Sequence, residues 1–332
     1  MKILILENLR PGEDIWWQQY LPPLKEGHQL SVAKVSEQNL RGSLVPLLKL
    51  YMKLDNYDAV ITQQDGHATF IIAFLNSLLK RKKCRHYVNE FITREKSTGF
   101  YSYLKFLFLR FSLSSVYCIM CSSKAEIEYY KSTLRLKNTK FRFVPLATNP
   151  KFIEVKSDFV GDHIISAGRT GRDYRILLEA VKDLPLRLIL VADYSNLTGI
   201  PLSKNVEVKY NIPLNELIGL TASARFAVLP LQDLSISVGQ SVLLEAMALG
   251  KAVIVTRNAS TIDYITDGET GILVSPDDSE DMKKAIMFLL KNPQKAAQIG
   301  ARAREVIQKY YLIREKITRI CSIIKESGAS AD

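Results

Sequence analysis

The stretch Ser237–Thr256, SVGQSVLLEAMALGKAVIVT, joins a small-residue loop, an apolar helix that stops at Gly250, and a β-branched strand. A loop that feeds a helix presents backbone N–H groups at the positive end of the helix dipole, where phosphates bind readily. Glu245 is the only acid in the apolar run Val242–Leu249 and needs a polar partner, which a ligand hydroxyl would supply. This pattern alone leaves two interpretations open: an anion-binding helix, or a core helix with one surface glutamate.

Size and composition limit the class of protein. A chain of 332 residues is longer than the size at which a single hydrophobic core usually stops growing, so two domains are predicted. The 47% of hydrophobic residues indicates a globular protein. No uncharged stretch reaches the ~18 residues expected of a transmembrane helix. Four cysteines, including the single pair Cys118 and Cys121, predict core thiols in a reducing cytoplasm rather than a disulfide framework or a zinc site.

The positive charge is concentrated in the first half of the chain. Residues 1–150 hold 22 Lys and Arg against 12 Asp and Glu, whereas residues 151–332 hold 23 against 22. The run Lys80–Arg85 and the aromatic segment Tyr101–Ser115 lie in the basic half. That segment is either a buried crossover helix or a helix in a membrane interface, and the basic run favours the membrane. An anionic membrane surface is therefore the expected partner. Nucleic acid is not an expected partner, because the basic run lacks the aromatic stacking platform of single-strand binders.

Strands and helices alternate along the whole chain, which predicts an α/β protein with two doubly wound parallel sheets. We expect an N-terminal domain over residues 1–155 and a C-terminal domain over residues 156–308, with a terminal helix at 309–328 packing back on the first. The predicted strands are Lys2–Leu6, Leu30–Val35, Ala59–Thr62, His86–Asn89, Val116–Cys121, Phe141–Val144, His163–Ala167, Leu186–Val191, Val206–Tyr210, Phe226–Pro230, Ala252–Thr256 and Gly271–Val274.

A second loop follows the predicted strand His163–Ala167. It contains two glycines and two arginines three residues apart, Gly168, Arg169, Gly171 and Arg172. Glycine permits close backbone approach and arginine forks match phosphate oxygens, although an ordinary turn with solvated arginines has the same composition. Taken together with the loop at Ser237–Ser241, which is also next to a strand of the same unit, this loop indicates a diphosphate site. Walker, GxGxxG and Asp-x-Asp motifs are absent from the sequence, so neither a dinucleotide nor a metal site is expected.

The second half of the chain resembles the donor-binding domain of GT-B glycosyltransferases of family 4, the glycosyl transferases group 1. The segments that carry this resemblance are Gly168-Arg169 with Arg172, Leu177–Ala180, Pro230-Leu231, Leu243–Lys251 and Asp267–Gly271. A weaker match in the first half involves Glu26-Gly27-His28, Ser122 or Ser123, and Val144-Pro145. The resemblance implies two Rossmann-like domains facing across a cleft, a nucleotide-sugar donor, and a retaining reaction without a metal or other cofactor.

The resemblance also implies roles for particular residues. Glu245 would bind the ribose hydroxyls, and Arg169 and Arg172 would neutralise the leaving diphosphate. The other implied donor-binding residues are Gly168, Tyr210, Pro230, Ser237, Gly239, Gln240, Ser241, Val242 and Leu243. On the acceptor side the corresponding residues are His67, Asn89 and Glu90.

The sequence departs from the family pattern at three places. Ser237 stands where the family keeps the first acid of its paired-glutamate motif, and that acid contacts the donor sugar. Asn89 and Glu90 stand where a histidine is common, and His67 is either its substitute or a structural residue. The glycine-rich loop after the first strand is reduced to Pro11-Gly12.

Together these features predict a cytoplasmic glycosyltransferase, peripheral on the inner face of the membrane. It would move a sugar from a nucleotide-diphosphate donor to a cell-surface glycan or lipid-linked acceptor. The alternative is a non-catalytic GT-B protein that binds nucleotide sugar, an alternative that Ser237 keeps open.

Overall fold

A computed structural model describes residues 1–9, 29–36, 40–63, 67–81, 83–93, 99–155, 160–234 and 236–328. The chain divides into two compact units: Met1–Pro145 with Lys316–Asp332, and Leu146–Glu315. The expected boundary at residue 155 was therefore placed too late. Leu146 and Phe152 pack into the core of the second unit, and the Leu146 N–H donates to Tyr264 Oη at 3.0 Å. The reduced loop at Pro11-Gly12 and the weak sequence match at Glu26–His28 lie outside the described residues.

The first unit, called unit 1 below, contains a six-stranded parallel sheet in the order β2-β1-β3-β4-β5-β6. The strands are β1 Lys2–Leu9, β2 Gln29–Ser36, β3 Ala59–Gln63, β4 Arg85–Asn89, β5 Cys118–Cys121 and β6 Lys140–Phe143. The described helices are α1 Leu40–Met52, α2 His67–Leu79, α3 Phe100–Leu113 and α4 Lys124–Leu134. The central strands are buried on both faces, as parallel strands covered by helices require.

The second unit, unit 2, has a parallel sheet in the order β12-β11-β10-β7-β8-β9. Its strands are β7 His163–Ala167, β8 Arg187–Val191, β9 Val206–Lys209, β10 Ala227–Leu229, β11 Val253–Thr256 and β12 Ile272–Val274. Its helices are α5 Lys151–Glu154, α6 Tyr174–Val181, α7 Tyr194–Leu197, α8 Leu214–Ser223, α9 Gln240–Ala248, α10 Ser279–Lys291 and α11 Pro293–Tyr310. The last helix, α12 Ile313–Gly328, begins in unit 2 and continues into unit 1 from Lys316.

The structure confirms all twelve predicted strands, with ends that differ by a few residues. Cys118 and Cys121 are buried, and burial raises the pKa of the Cys118 thiol to about 12, as expected of inert core thiols. Helix α3 is not the fully buried crossover helix that was one of its two interpretations, because much of its apolar surface faces outward. Among the described residues, no helix has both the length and the hydropathy needed to cross a bilayer.

The turn after α9 packs tightly on α11. Gly300 in α11 is buried, and a Cβ there would meet the Gly250 carbonyl carbon at 2.8 Å and the Ala252 nitrogen at 3.0 Å. Because both neighbours are backbone atoms, neither moves aside cheaply. Only a glycine allows this approach, which fixes the position of α11 against the turn that ends α9.

Gly300→Ala should lower the free energy of unfolding by about 1–3 kcal/mol, the usual cost of overpacking a core. Gly219→Ala is the matched control, because Gly219 lies in α8 with open space where its Cβ would be. The control should be stabilised by roughly 0.5–1 kcal/mol through helix propensity. Chemical denaturation of both variants measures the difference, and equal midpoints would contradict the tight packing at Gly300.

Candidate functional site

The candidate site lies at the carboxyl edge of the unit 2 sheet. Strands β7 to β11 are parallel, so the loops that follow them emerge at the same edge, where open α/β sheets bind ligands. The loops after β7 and β10 are joined directly: the Asp173 N–H donates to the Pro230 carbonyl at 3.0 Å, and the Gln232 N–H donates to the Gly171 carbonyl at 2.9 Å. Pro230, predicted as a donor-site residue, is buried at this junction.

Arg172 brings the two predicted glycine loops together. It is only 7% exposed, and it donates from Nε to the Ala167 carbonyl at 3.1 Å and from Nη1 to the Thr170 carbonyl at 2.9 Å. Gly168 has φ +124°, and a Cβ there would lie 2.5 Å from the guanidinium carbon. The Nη1 atom also lies 3.1 Å from the place of a Gly239 Cβ. The buried positive charge is therefore held beside the N-terminus of α9.

The first turn of α9 carries several of the predicted phosphate contacts. Gly239 precedes the helix and provides no side-chain cap. The first turn of α9, Gln240 to Val242, is the end of the helix where backbone N–H groups lack intrahelical acceptors. Ser241 is exposed and Val242 is half-buried. Leu243 differs from its expected role: its side chain lies in the core and its N–H donates to the Gly239 carbonyl at 3.1 Å.

Ser237 is a buried residue of the loop before α9. Its Oγ accepts a hydrogen bond from Gln240 Nε2 at 3.2 Å, so these two predicted donor-site residues contact each other. The Ser260 hydroxyl supports the same loop by accepting from the Val238 N–H at 3.2 Å. The position where the family resemblance implies an acid thus carries a hydroxyl that accepts a hydrogen bond from an amide.

Glu245 lies on α9 and is half-buried. Desolvation by burial raises the pKa of its carboxyl group to about 7, and the charge of Arg172 opposes that shift. Burial of Arg172 lowers the pKa of its guanidinium, and Tyr174 and then the charge of Glu245 oppose that shift. A hydroxyl that donates to Glu245 would stabilise the charged carboxylate, so the site is suited to binding hydroxyl groups.

Arg169 differs from Arg172 in its surroundings. Its side chain is 72% exposed, and its Nε lies 3.9 Å from Asp193 Oδ2. Its backbone carbonyl accepts a hydrogen bond from Asn196 Nδ2 at 2.8 Å, which ties the loop to α7. The two predicted diphosphate arginines therefore divide into one solvent-facing cation and one buried cation.

An aromatic pair follows strands β8 and β9. The rings of Tyr194 and Tyr210 are stacked with centroids 3.8 Å apart and an interplanar angle of 11°, and Tyr194 is 69% exposed. Tyr210 was predicted from the sequence, but Tyr194 was not. Tyr194 lies three residues after the predicted strand Leu186–Val191, and the sequence carries no signal for its pairing with Tyr210.

A buried polar cluster after β11 was also not predicted. Asn258 Oδ1 accepts from the N–H groups of Ser260 and Thr261 at 3.0 and 3.1 Å, and its Nδ2 donates to the Gln232 carbonyl at 3.3 Å. Thr256 Oγ1 accepts from the Leu231 N–H at 2.9 Å. These bonds support the loop after β10, so the cluster holds the site in shape. The polar run directly after a β-branched strand was its sequence signal.

The predicted acceptor-side residues lie in unit 1. His67 is exposed at the start of α2, and Asn89 at the end of β4 is buried, with its Nδ2 donating to Gln63 Oε1 at 3.0 Å. Asn89 Oδ1 is buried and has no hydrogen-bond partner among the residues that the structure describes. Glu90 has a left-handed backbone with φ 53° and forms an ion pair with Lys316, which is only 5% exposed. Glu90 thus binds α12 to unit 1.

No cluster of three or more His, Cys, Asp or Glu side chains suited to a metal ion occurs in the part of the chain that the structure describes.

The chain is similar in sequence and in fold to known glycosyltransferases. Residues 194–306 match the family described as Glycosyl transferases group 1. An uncharacterized glycosyltransferase of Methanocaldococcus jannaschii is 23% identical over 211 residues, which cover 61% of this chain and 58% of that protein. The chain therefore spans less than two thirds of that curated relative.

Two solved structures share the fold over nearly the whole chain. Sucrose-phosphate synthase from Thermosynechococcus elongatus has a TM-score of 0.72 at 16% identity, covering 99% of this chain and 100% of that one. Anabaena HepE in complex with UDP and glucose has a TM-score of 0.70 at 16% identity, covering 98% and 100%. These similarities confirm the GT-B fold, and the residues that match the Glycosyl transferases group 1 family lie within unit 2.

Glu245 makes stability depend on pH in a direction that can be tested. Its pKa is about 7 in the folded protein against an ordinary 4.5, so between these values the native state holds a proton that the unfolded chain has released. The free energy of unfolding should therefore fall as pH rises through this window. Glu245→Gln should be more stable than the wild type at pH 8, by about 1–3 kcal/mol, and equally stable near pH 4.

Denaturation at both pH values measures this difference. Glu269→Gln is the matched control, because it makes the same substitution at an exposed glutamate. A constant difference between Glu245→Gln and the wild type at both pH values would show that burial does not perturb this carboxyl group.

Proposed function

We propose that this protein is a retaining glycosyltransferase of family 4 that uses a nucleotide-diphosphate sugar and needs no metal ion. The observation that carries the proposal is the position of Arg172, which is buried between the Gly168 loop and the start of α9. A buried guanidinium beside helix N-terminal amides favours an anion with two phosphate groups.

In the proposed mechanism the bond between the sugar C1 and the diphosphate oxygen breaks, and its electron pair stays on the diphosphate. The acceptor hydroxyl oxygen bonds to C1 from the same face, and its proton passes to the leaving phosphate oxygen. Arg172 and the first turn of α9 stabilise the charge that develops, and the exposed Arg169 supplies a second cation. Arginine and backbone amides thus take the charge-neutralising role that a metal ion has in other transferases.

Glu245 is proposed to bind the ribose hydroxyls. Without a ligand its carboxylate is desolvated, as its raised pKa indicates. Two hydroxyl donors would compensate for that cost. Ser237 is proposed to affect the choice of sugar, because its hydroxyl group, held by Gln240, offers a neutral contact.

The acceptor is proposed to be a cell-surface glycan or a lipid-linked glycan, bound in unit 1 near His67, Asn89 and Glu90. Unit 1 carries 25 Lys and Arg against 14 Asp and Glu, whereas unit 2 carries 20 of each. This asymmetry supports our proposal that the protein is cytoplasmic and associates peripherally with an anionic membrane surface. Nucleic acid is not the proposed partner, because the basic run lacks an aromatic stacking platform.

A non-catalytic protein that binds nucleotide sugar is the second candidate. Ser237 favours it, because its buried hydroxyl group replaces a charged contact to the donor. Donor binding without turnover on any offered acceptor would support this candidate over the enzyme.

Arg169→Ala and Glu245→Ala should each lower transfer, or hydrolysis of the nucleotide sugar, by about 10²-fold or more, because each removes a charged contact to the donor. Arg175→Ala is the matched control, since Arg175 is exposed on α6 and outside the proposed site. Thermal-shift screening with UDP-, GDP- and ADP-sugars identifies the donor for the assay. Full activity in both variants would refute the assigned site.

The Tyr194–Tyr210 pair is proposed to stack on the nucleobase. Tyr194→Ala should weaken binding of the nucleoside diphosphate by roughly 1–3 kcal/mol, the usual worth of base stacking on an aromatic ring. Tyr194→Phe keeps the ring and should bind normally. Calorimetric titration with the diphosphate and with inorganic pyrophosphate separates base from phosphate contacts. An equal loss for both ligands would contradict stacking.

A further inference from the structure

Helix α3 presents large apolar side chains outward. Its opposite face, including Leu113, packs into the unit 1 core. The outward residues recur every three or four positions, which is the period of one helix face. We call them the apolar stripe, and they are 39–77% exposed: Phe100, Leu104, Leu107, Phe108 and Phe111.

The stripe continues onto the end of α2. Ser77 Oγ donates to the Phe111 carbonyl at 2.9 Å, and the rings of Phe74 and Phe108 are 5.2 Å apart. The last residues of α2, Leu78 and Leu79, are 56% and 62% exposed. Contiguous apolar surface of this kind marks an interaction site in soluble proteins.

Basic side chains flank the stripe. Lys105 and Arg110 are exposed on α3, and Lys80 and Lys83 are exposed just after α2. Neither helix contains an aspartate or glutamate. Arg81 is paired with Asp55 and is therefore not counted among these cations. The surface thus combines apolar side chains with exposed positive charge, the combination that suits anionic lipid headgroups above acyl chains.

We propose that the apolar stripe, with Lys105 and Arg110, binds the surface of an anionic lipid bilayer. Helix α3 lies in the plane of the interface, because its 14 residues are too few to span the hydrocarbon core. Its apolar side chains enter the boundary of headgroups and acyl chains, and its cations contact lipid phosphates. This proposal deepens the membrane association proposed above and assigns it to one helix face.

Co-sedimentation with vesicles tests the proposal on the full chain. Wild type should bind phosphatidylglycerol-containing vesicles and bind pure phosphatidylcholine much less. Leu104→Gln with Phe108→Gln should weaken binding roughly tenfold or more. Lys105→Gln with Arg110→Gln should weaken it by about fivefold per charge, and added salt should abolish that difference.

Matched controls come from unit 2. Leu214 and Phe288 are 52% and 45% exposed, and Lys204 and Lys284 are exposed cations. Glutamine at either pair should leave vesicle binding unchanged. Equal loss in stripe and control variants would overturn the proposal, as would equal binding to both lipid compositions.

A second copy of the chain is the competing occupant of the stripe. Sedimentation velocity without lipid distinguishes the two occupants. The proposal would be overturned if the wild type is a dimer, the Leu104→Gln/Phe108→Gln variant is a monomer, and the wild type does not bind vesicles. Donor-induced thermal stabilisation should be intact in every variant. Its absence from the wild type would count against the glycosyltransferase proposal and leave the vesicle result standing.

Discussion

The arrangement of the unit 2 site depends on the burial of one guanidinium. Arg172 donates to the carbonyls of its own loop and lies against Gly168 and beside Gly239. A buried cation is costly without compensating acceptors, and here backbone carbonyls and the nearby charge of Glu245 supply part of the compensation. The charge of Arg172 thus interacts with its own loop, with the start of α9 and with Glu245 on that helix. An anion would complete the compensation, and this supports the proposal that the site binds phosphate.

Much of this fold could be predicted from the sequence. Buried parallel strands such as β5 and β11 appear as short β-branched or apolar runs, and helices follow them at regular spacing. The glycine-rich loop at Gly168 and the acid at Glu245 were also visible, because each departs from the composition around it. Their proximity followed from topology, since loops after parallel strands emerge at one edge.

The environment of each side chain could not be predicted in the same way. Arg169 and Arg172 look equivalent in sequence, yet Arg169 is exposed, whereas Arg172 is buried and donates to the carbonyls of its own loop. The stacking of Tyr194 on Tyr210 joins two different strand ends, and no spacing along the chain encodes it. The sequence could not show which face of α3 is exposed, because apolar residues occur on nearly every side of the helix.

The ion pair of Glu90 with Lys316 joins residues 226 positions apart, and both belong to unit 1. Unit 1 is therefore assembled from two separate pieces of chain, with all of unit 2 between them. Synthesis on the ribosome proceeds from the N-terminus, so the last helix of unit 1 emerges only after unit 2 is complete. Until then Glu90 lacks its ion-pair partner Lys316. The first 145 residues therefore cannot complete the packing of unit 1 before α12 has been synthesised.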